Sequence, residues 1–107
     1  MLHKPFLELK NPCLLRSVLN EILNGFAIDD FYAAIGMKEG ELQQLLTELN
    51  ELPDDVGIAL DRKQAAAFRN ALHKTLSELG VEEFHTRTGI DFSEGEYVLR
   101  QLNELVF

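Results

Sequence analysis

Tryptophan is absent from this 107-residue chain, and cysteine, proline and histidine are scarce. With Cys13 as its single cysteine, the chain cannot form an internal disulfide, and one thiol with three scattered histidines does not make a tetrahedral structural zinc site. No run approaches the roughly 18 apolar residues that a membrane span requires, and residues 1–12 carry charges where a signal peptide would be apolar. These absences predict a soluble cytoplasmic protein that folds without disulfides, metal or membrane.

Basic residues are also few, with 10 Lys and Arg against 18 Asp and Glu, which gives a net charge of -8. An acidic chain repels the phosphate backbone of nucleic acids and anionic membrane surfaces, and it attracts basic proteins. The composition is otherwise ordinary for a globular protein, at 46% hydrophobic and 26% charged residues. We therefore expect a single domain over residues 1–107 and an unidentified protein partner, preferably basic.

The chain contains an internal duplication. Residues 16–52 align with residues 69–105 at a constant offset and without a gap, and 11 of the 37 positions are identical, including Phe31/Phe84 and Gly36/Gly89. Chance would give only about four identities between two helix-rich segments. The alignment predicts two tandem repeats, at about residues 6–52 and 56–105.

Each repeat has the pattern of a strand followed by three helices. The strands, at residues 6–9 and 56–60, alternate apolar and polar positions, and two strands this short are expected to pair with each other. Apolar residues then recur at helical spacing in both repeats. The predicted fold is mainly α, with two pseudo-symmetric strand-helix-helix-helix repeats forming one helical domain and at most a small two-stranded ribbon.

Capping residues and glycines predict the helix ends. Asn11 followed by Pro12, and Asp61 with Gln64 three positions later, are typical of helix N-termini. Gly25 and Gly80 should end the long helices, and Gly36 and Gly89 should end the short ones in a left-handed conformation. Phe31 and Phe84 are the predicted buried residues of the short helices. In the three Leu-Asn-Glu segments, at residues 19–21, 49–51 and 102–104, Leu should face the core and Asn-Glu the solvent.

Residues 28–46, IDDFYAAIGMKEGELQQLL, resemble a helix-turn-helix, with a short helix, a turn at Gly36 and an apolar residue, Leu42, six positions later. The second repeat has Gly95 at that last position. The resemblance implies a tandem helix-turn-helix DNA-binding regulator as an alternative function. A recognition helix should carry cations to the phosphates. Residues 37–52 instead carry one lysine against four glutamates, which makes nucleic acid an unfavourable partner.

No catalytic, cofactor-binding or metal-binding constellation is predicted. His85 has Glu83 and Arg87 nearby, but a general base also needs an orienting group and a pocket, and we interpret His85 as a partly exposed ring. The leading hypothesis is a non-enzymatic protein-interaction or regulatory module. Because turns between helices project outward, we expect its contact surface at Tyr32, Met37, His85 and Ile90. Homodimerisation through the terminal helices remains a further possibility.

Overall fold

The two predicted strands pair as a short antiparallel ribbon. In the computed structural model, which describes residues 7–10, 12–25, 27–53 and 56–106, β1 (Leu7–Leu9) runs antiparallel to β2 (Ile58–Leu60). Leu7 lies opposite Leu60, and Leu9 lies opposite Ile58. Because strand side chains alternate between faces, these four residues pack towards the helices, whereas Glu8 and Ala59 are exposed. The prediction of a two-stranded ribbon is confirmed.

The first half of the chain contains three α-helices and a π-helix. They are α1 (Cys13–Asn20), the π-helix (Glu21–Gly25), α2 (Phe31–Ile35) and α3 (Glu39–Asn50). The predicted N-cap of α1, Asn11, lies outside the described residues, and the helix begins just after Pro12. Gly25 ends the π-helix, in agreement with the prediction.

The described part of the second half contains two helices, α4 (Arg62–Thr88) and α5 (Phe92–Val106), and not the predicted three, because the chain is helical on both sides of Gly80. Asp61 caps α4 as predicted: its carboxylate accepts from Gln64 N at 2.7 Å, and Gln64 Oε1 accepts from Asp61 N at 3.0 Å. Gly80 interrupts α4, with φ 73° and ψ −176°. Only glycine adopts these angles without strain, which is why the helical axis breaks at this residue.

The turn glycines adopt the predicted left-handed conformation. Gly36 has φ 98° and Gly89 has φ 74°. Their amides donate to Tyr32 O and His85 O, both at 2.8 Å, and so satisfy a carbonyl at the end of each helix. These two residues are backbone requirements, because a side chain at such angles would be strained.

The hydrophobic core lies between α1, α3, α4 and α5, with α4 in contact with both halves. Phe84 is fully buried, as predicted, but Phe31 is only partly buried and packs at the margin of the core. The prediction that Phe31 is a core residue is therefore wrong. Its five-residue helix is too short to be covered on every side, whereas Phe84 is enclosed between α4 and α5.

The Leu-Asn-Glu segments follow the predicted pattern with two exceptions, Glu21 and the half-buried Asn103. Leu19, Leu49 and Leu102 are buried, but Glu21 is buried as well. The prediction that Glu21 faces solvent is wrong, because Glu21 begins the π-helix and its carboxylate accepts from Arg87 Nη1 at 2.9 Å. An ion pair formed across 66 positions of sequence thus brings this carboxylate inward.

Candidate interaction surface

The four predicted contact residues differ in how much of each side chain is exposed to solvent. The side chains of Tyr32 and His85 are exposed, Tyr32 to 56%, whereas Ile90 is half-buried. Met37 is only 5% exposed and belongs to the core, so its prediction as an exposed contact is wrong. The residue after Gly36 points inward because the chain turns back there to begin α3.

His85 lies in an open groove between the last turns of α4 and the start of α5. We call it the α4–α5 groove; it encloses about 750 Å³ and is lined by Val81, Glu82, His85, Thr86, Asp91, Phe92, Ser93 and Glu96. The first four residues follow the break at Gly80, and the other four follow the turn at Gly89. Both predicted helix-ending glycines therefore shape this groove.

The packing of Phe84 determines how closely α5 approaches α4. A Cβ atom on Gly95 would lie 3.2 Å from Phe84 Cζ and 3.0 Å from Leu76 Cδ2, closer than most side chains tolerate. Glycine at this position therefore allows α5 to lie against the phenylalanine ring. Phe92 then meets Phe84 edge to face, with ring centroids 6.0 Å apart. The same contact fixes one wall of the α4–α5 groove.

Two apolar side chains line the groove. Val81 is 64% exposed, and Phe92 is half-buried. Exposed apolar area of this kind, surrounded by polar groups, is typical of protein-binding sites.

Three exposed carboxylates also line the groove, and we call them its acidic rim. Glu82, Asp91 and Glu96 supply three carboxylates, and His85 Nε2 lies 3.7 Å from Asp91 Oδ1. Arg87 is the nearest strong cation in sequence, but it binds Glu21 at 2.9 Å and Glu83 at 3.2 Å instead of lining the groove. Hydrogen bonding and charge attraction from Glu21, with a smaller effect of Glu83, raise the pKa of Arg87 above its usual value. The cation is therefore held away from the carboxylates of the rim.

Two more exposed apolar residues continue the surface along α5. Tyr97 is 56% exposed and Leu105 is 47% exposed, and they lie four and twelve positions after Ser93. Sequence analysis missed Val81, Tyr97 and Leu105. Helical spacing could have indicated Tyr97, because it lies opposite the buried Leu102 on the helix, but only the fold places it beside the groove.

Three basic side chains outside the groove have acidic or amide partners. Lys63 pairs with Glu41 at 3.4 Å, and Lys74 pairs with Glu78 at 3.1 Å. Arg69 donates to Asn103 Oδ1 at 2.6 Å, which links α4 to α5. These partners reduce the positive potential that a basic stripe on α4 would otherwise offer to phosphates.

The described residues contain no group of three or more His, Cys, Asp or Glu side chains that could hold a metal ion. Within that part of the chain, no helix has both the length and the apolar character needed to cross a bilayer. Cys13 is half-buried at an apolar cleft of about 360 Å³, beside Leu9, Phe68 and Val98. The cleft and its thiol lie apart from the acidic groove.

Comparisons with protein-family models, with curated proteins and with solved structures give no significant match to this chain. Functional inference therefore depends on the residues and their geometry.

Proposed function

We propose that this protein is a non-enzymatic interaction module that binds a basic segment of a partner protein in the α4–α5 groove. The observation that carries the proposal is the lining of this groove, which combines the exposed Val81 and the half-buried Phe92 with the carboxylates of Glu82, Asp91 and Glu96. Lysine and arginine have the matching chemistry, because their aliphatic stems pack on apolar surface while their charged ends reach carboxylates.

The overall charge supports the same class of partner. A net charge of -8 attracts basic proteins over a distance of about 10 Å at ordinary ionic strength and accelerates their association. We place the interaction in the cytoplasm, where the single thiol of Cys13 would stay reduced. Specificity then comes from the groove, since charge attraction alone does not distinguish one basic protein from another.

We also infer that the two halves are tandem pseudo-symmetric repeats, at about residues 6–52 and 56–105. The antiparallel ribbon that joins the halves supports this inference, as do the left-handed glycines, Gly36 and Gly89, at aligned positions. The first repeat also has an open groove, of about 430 Å³, but its apolar residues Met37 and Leu45 are buried, whereas Val81 of the α4–α5 groove is exposed.

The left-handed glycine turns also fit the alternative, a tandem helix-turn-helix DNA-binding regulator. The carboxylate partners of Lys63, Lys74 and Arg87 favour the protein-binding proposal, because a cation paired with a carboxylate attracts a phosphate backbone less strongly. A gel-shift assay with duplex DNA at low salt separates the two: salt-sensitive retardation would support the alternative, and its absence would remove it.

Fluorescence anisotropy with labelled synthetic peptides tests the proposed function. A peptide composed of leucine and lysine should bind, and a peptide of the same length composed of leucine and glutamate should not. The paired variant Glu82→Gln/Glu96→Gln should weaken binding of the basic peptide by about tenfold or more, because it removes two rim charges.

The paired variant Glu39→Gln/Glu48→Gln is the matched control. It removes two exposed carboxylates of α3, neither of which lines the α4–α5 groove. If both paired variants weaken binding equally, the peptide responds only to net charge and the groove is not its site. If the basic peptide does not bind the native chain at all, the proposed function is wrong.

A further inference from the structure

Building on the proposed function, we propose that the bound partner segment is an amphipathic helix lying along the exposed face of α5, with one end in the α4–α5 groove. The contacts would come from a row on α5 that we call the tyrosine row, consisting of Ser93, Tyr97, Gln101 and Leu105, in which Tyr97 and Leu105 are the apolar members. These residues recur every four positions and so share one face of the helix.

The tyrosine row has the dimensions and exposure that a helical ligand requires. It extends about 18 Å, because twelve residues of α-helix rise 1.5 Å each. Tyr97 and Leu105 are both about half exposed, and Gln101 Nε2 donates to Tyr97 Oη at 3.2 Å, which orients the ring along the row. Ser93 also lines the groove, so the row and the groove form one continuous surface.

Charges beside the tyrosine row define the partner further. Glu96, Arg100 and Glu104 are exposed and form a neighbouring row on α5, acidic at both ends and basic in the middle. A complementary helix would carry Lys, Glu and Lys at the same spacing, next to its own apolar residues. Because the acid-base-acid order reads the same from either end, it would accept a partner helix in either direction.

A helix suits this surface better than an extended strand. Strand addition needs unpaired backbone groups at a sheet edge, whereas the backbone of α5 is hydrogen-bonded within the helix. Contacts to the tyrosine row must therefore come from side chains, and a helix presents side chains at the matching four-residue spacing.

The test uses three labelled peptides of about 16 residues, long enough to span the tyrosine row. The first is a leucine-based amphipathic helix with the Lys-Glu-Lys row. The second has the same sequence except for two central prolines, which prevent a helix. The third is helical but carries a Glu-Lys-Glu row. We expect the first peptide to bind about tenfold tighter than either of the others in fluorescence anisotropy, and to gain helical circular dichroism on binding.

Each result has a defined meaning. Equal binding of the first and second peptides would overturn the helical partner while leaving the proposed function standing, and equal binding of the first and third would overturn the charge complementarity. Failure of all three to bind would overturn the proposed function together with this inference.

Two tyrosine variants locate the contact. Tyr97→Ser should weaken binding of the first peptide by about tenfold, since buried tyrosines are frequent hot spots of interfaces. Tyr32→Ser is the matched comparison: Tyr32 was predicted as a contact from the sequence and has the same 56% exposure, but it lies on α2, outside the groove and the tyrosine row. It should change the affinity less than about twofold. If both variants bind like the native chain, the tyrosine row is not the binding surface.

Discussion

The aligned phenylalanines of the two halves, Phe31 and Phe84, are packed differently. In the second half, fully buried Phe84 lies against Gly95, so that a large ring meets a residue without a side chain. In the first half, Phe31 is only partly buried, and the position aligned with Gly95 is the buried Leu42. The residues that fill the core at these aligned positions therefore differ: a phenylalanine ring against glycine in the second half, and a leucine in the first.

The two halves also differ at the surface beside these core residues. Where Phe84 fills the core, α5 approaches closely, Phe92 packs on the ring, and Val81 is left exposed beside the groove. In the first half, Met37 fills the corresponding turn, and Lys38 stands at the position aligned with the acidic Asp91. The aligned turns therefore border different grooves: Asp91 lines the α4–α5 groove, and Met37 lines a smaller one of about 430 Å³.

The largest expected effect concerns the two phenylalanines. Phe84→Ala should destabilise the protein by about 3–5 kcal/mol, because it leaves a cavity in a closed core. Phe31→Ala should cost only about 1–2 kcal/mol, because part of that ring is already in water. Urea unfolding of both variants checks the difference, and equal losses would contradict the comparison between the halves.

The turn glycines should give a smaller effect that is similar in both halves. Gly36→Val and Gly89→Val should each cost about 1–2 kcal/mol, because valine is strained at a positive φ. The control is Gly40→Ala within α3, where no atom would crowd the new methyl group. It should stabilise by about 0.5–1 kcal/mol in thermal or urea unfolding. A Gly89→Val variant as stable as the native chain would show that the left-handed turn is not required.

The ion pair that joins the halves should contribute less. Glu21→Gln should lower the unfolding midpoint, because it removes the buried carboxylate that pairs with Arg87. Glu83→Gln removes the exposed carboxylate from the same Arg87 and should have a smaller effect, since water screens that pair. If Glu83→Gln proves the more damaging, the link between the halves has been assigned to the wrong carboxylate.

The smallest effect is the pH dependence of the α3 cap. Glu41 accepts from the Lys38 amide at 3.1 Å, and this hydrogen bond, assisted by Lys63, lowers the pKa of Glu41 below its ordinary value of 4.5. The charged carboxylate therefore stabilises the fold above the unfolded-state pKa, and this contribution is lost as the pH falls through the lower folded-state pKa.

Urea unfolding of the native chain and of Glu41→Gln, from pH 7 down through pH 4.5, measures this contribution. The native chain should be the more stable at pH 7, and the difference should decrease below pH 4.5. A constant difference throughout would mean that the ionised carboxylate does not act as the cap.

Local chemistry predicted the parts of the fold that depend on neighbouring residues. The capping box of Asp61 and Gln64, the left-handed Gly36 and Gly89, and the break at Gly80 all follow from preferences within a few positions. The alternating strands also predicted their own pairing, because no other partner of similar length is present in the sequence.

The errors all concern contacts between distant residues. The burial of Glu21 depends on Arg87, 66 positions away, and periodicity within one helix cannot predict it. The burial of Met37 and the partial exposure of Phe31 depend on how the short α2 sits against α4. Of the groove, only the exposed ring of His85 was predicted. Val81 and Tyr97 were not, because their position beside the groove depends on the packing of α5 on α4.

The most direct test of the central claim is a titration of the isotopically labelled protein with the helical Lys-Glu-Lys peptide, followed by amide chemical shifts in NMR spectra. We expect the shifts to be concentrated at Val81, Glu82, Phe92, Glu96 and Tyr97, with Tyr32 and the exposed face of α3 unchanged. Shifts spread evenly over the acidic surface, or centred on α3, would contradict it.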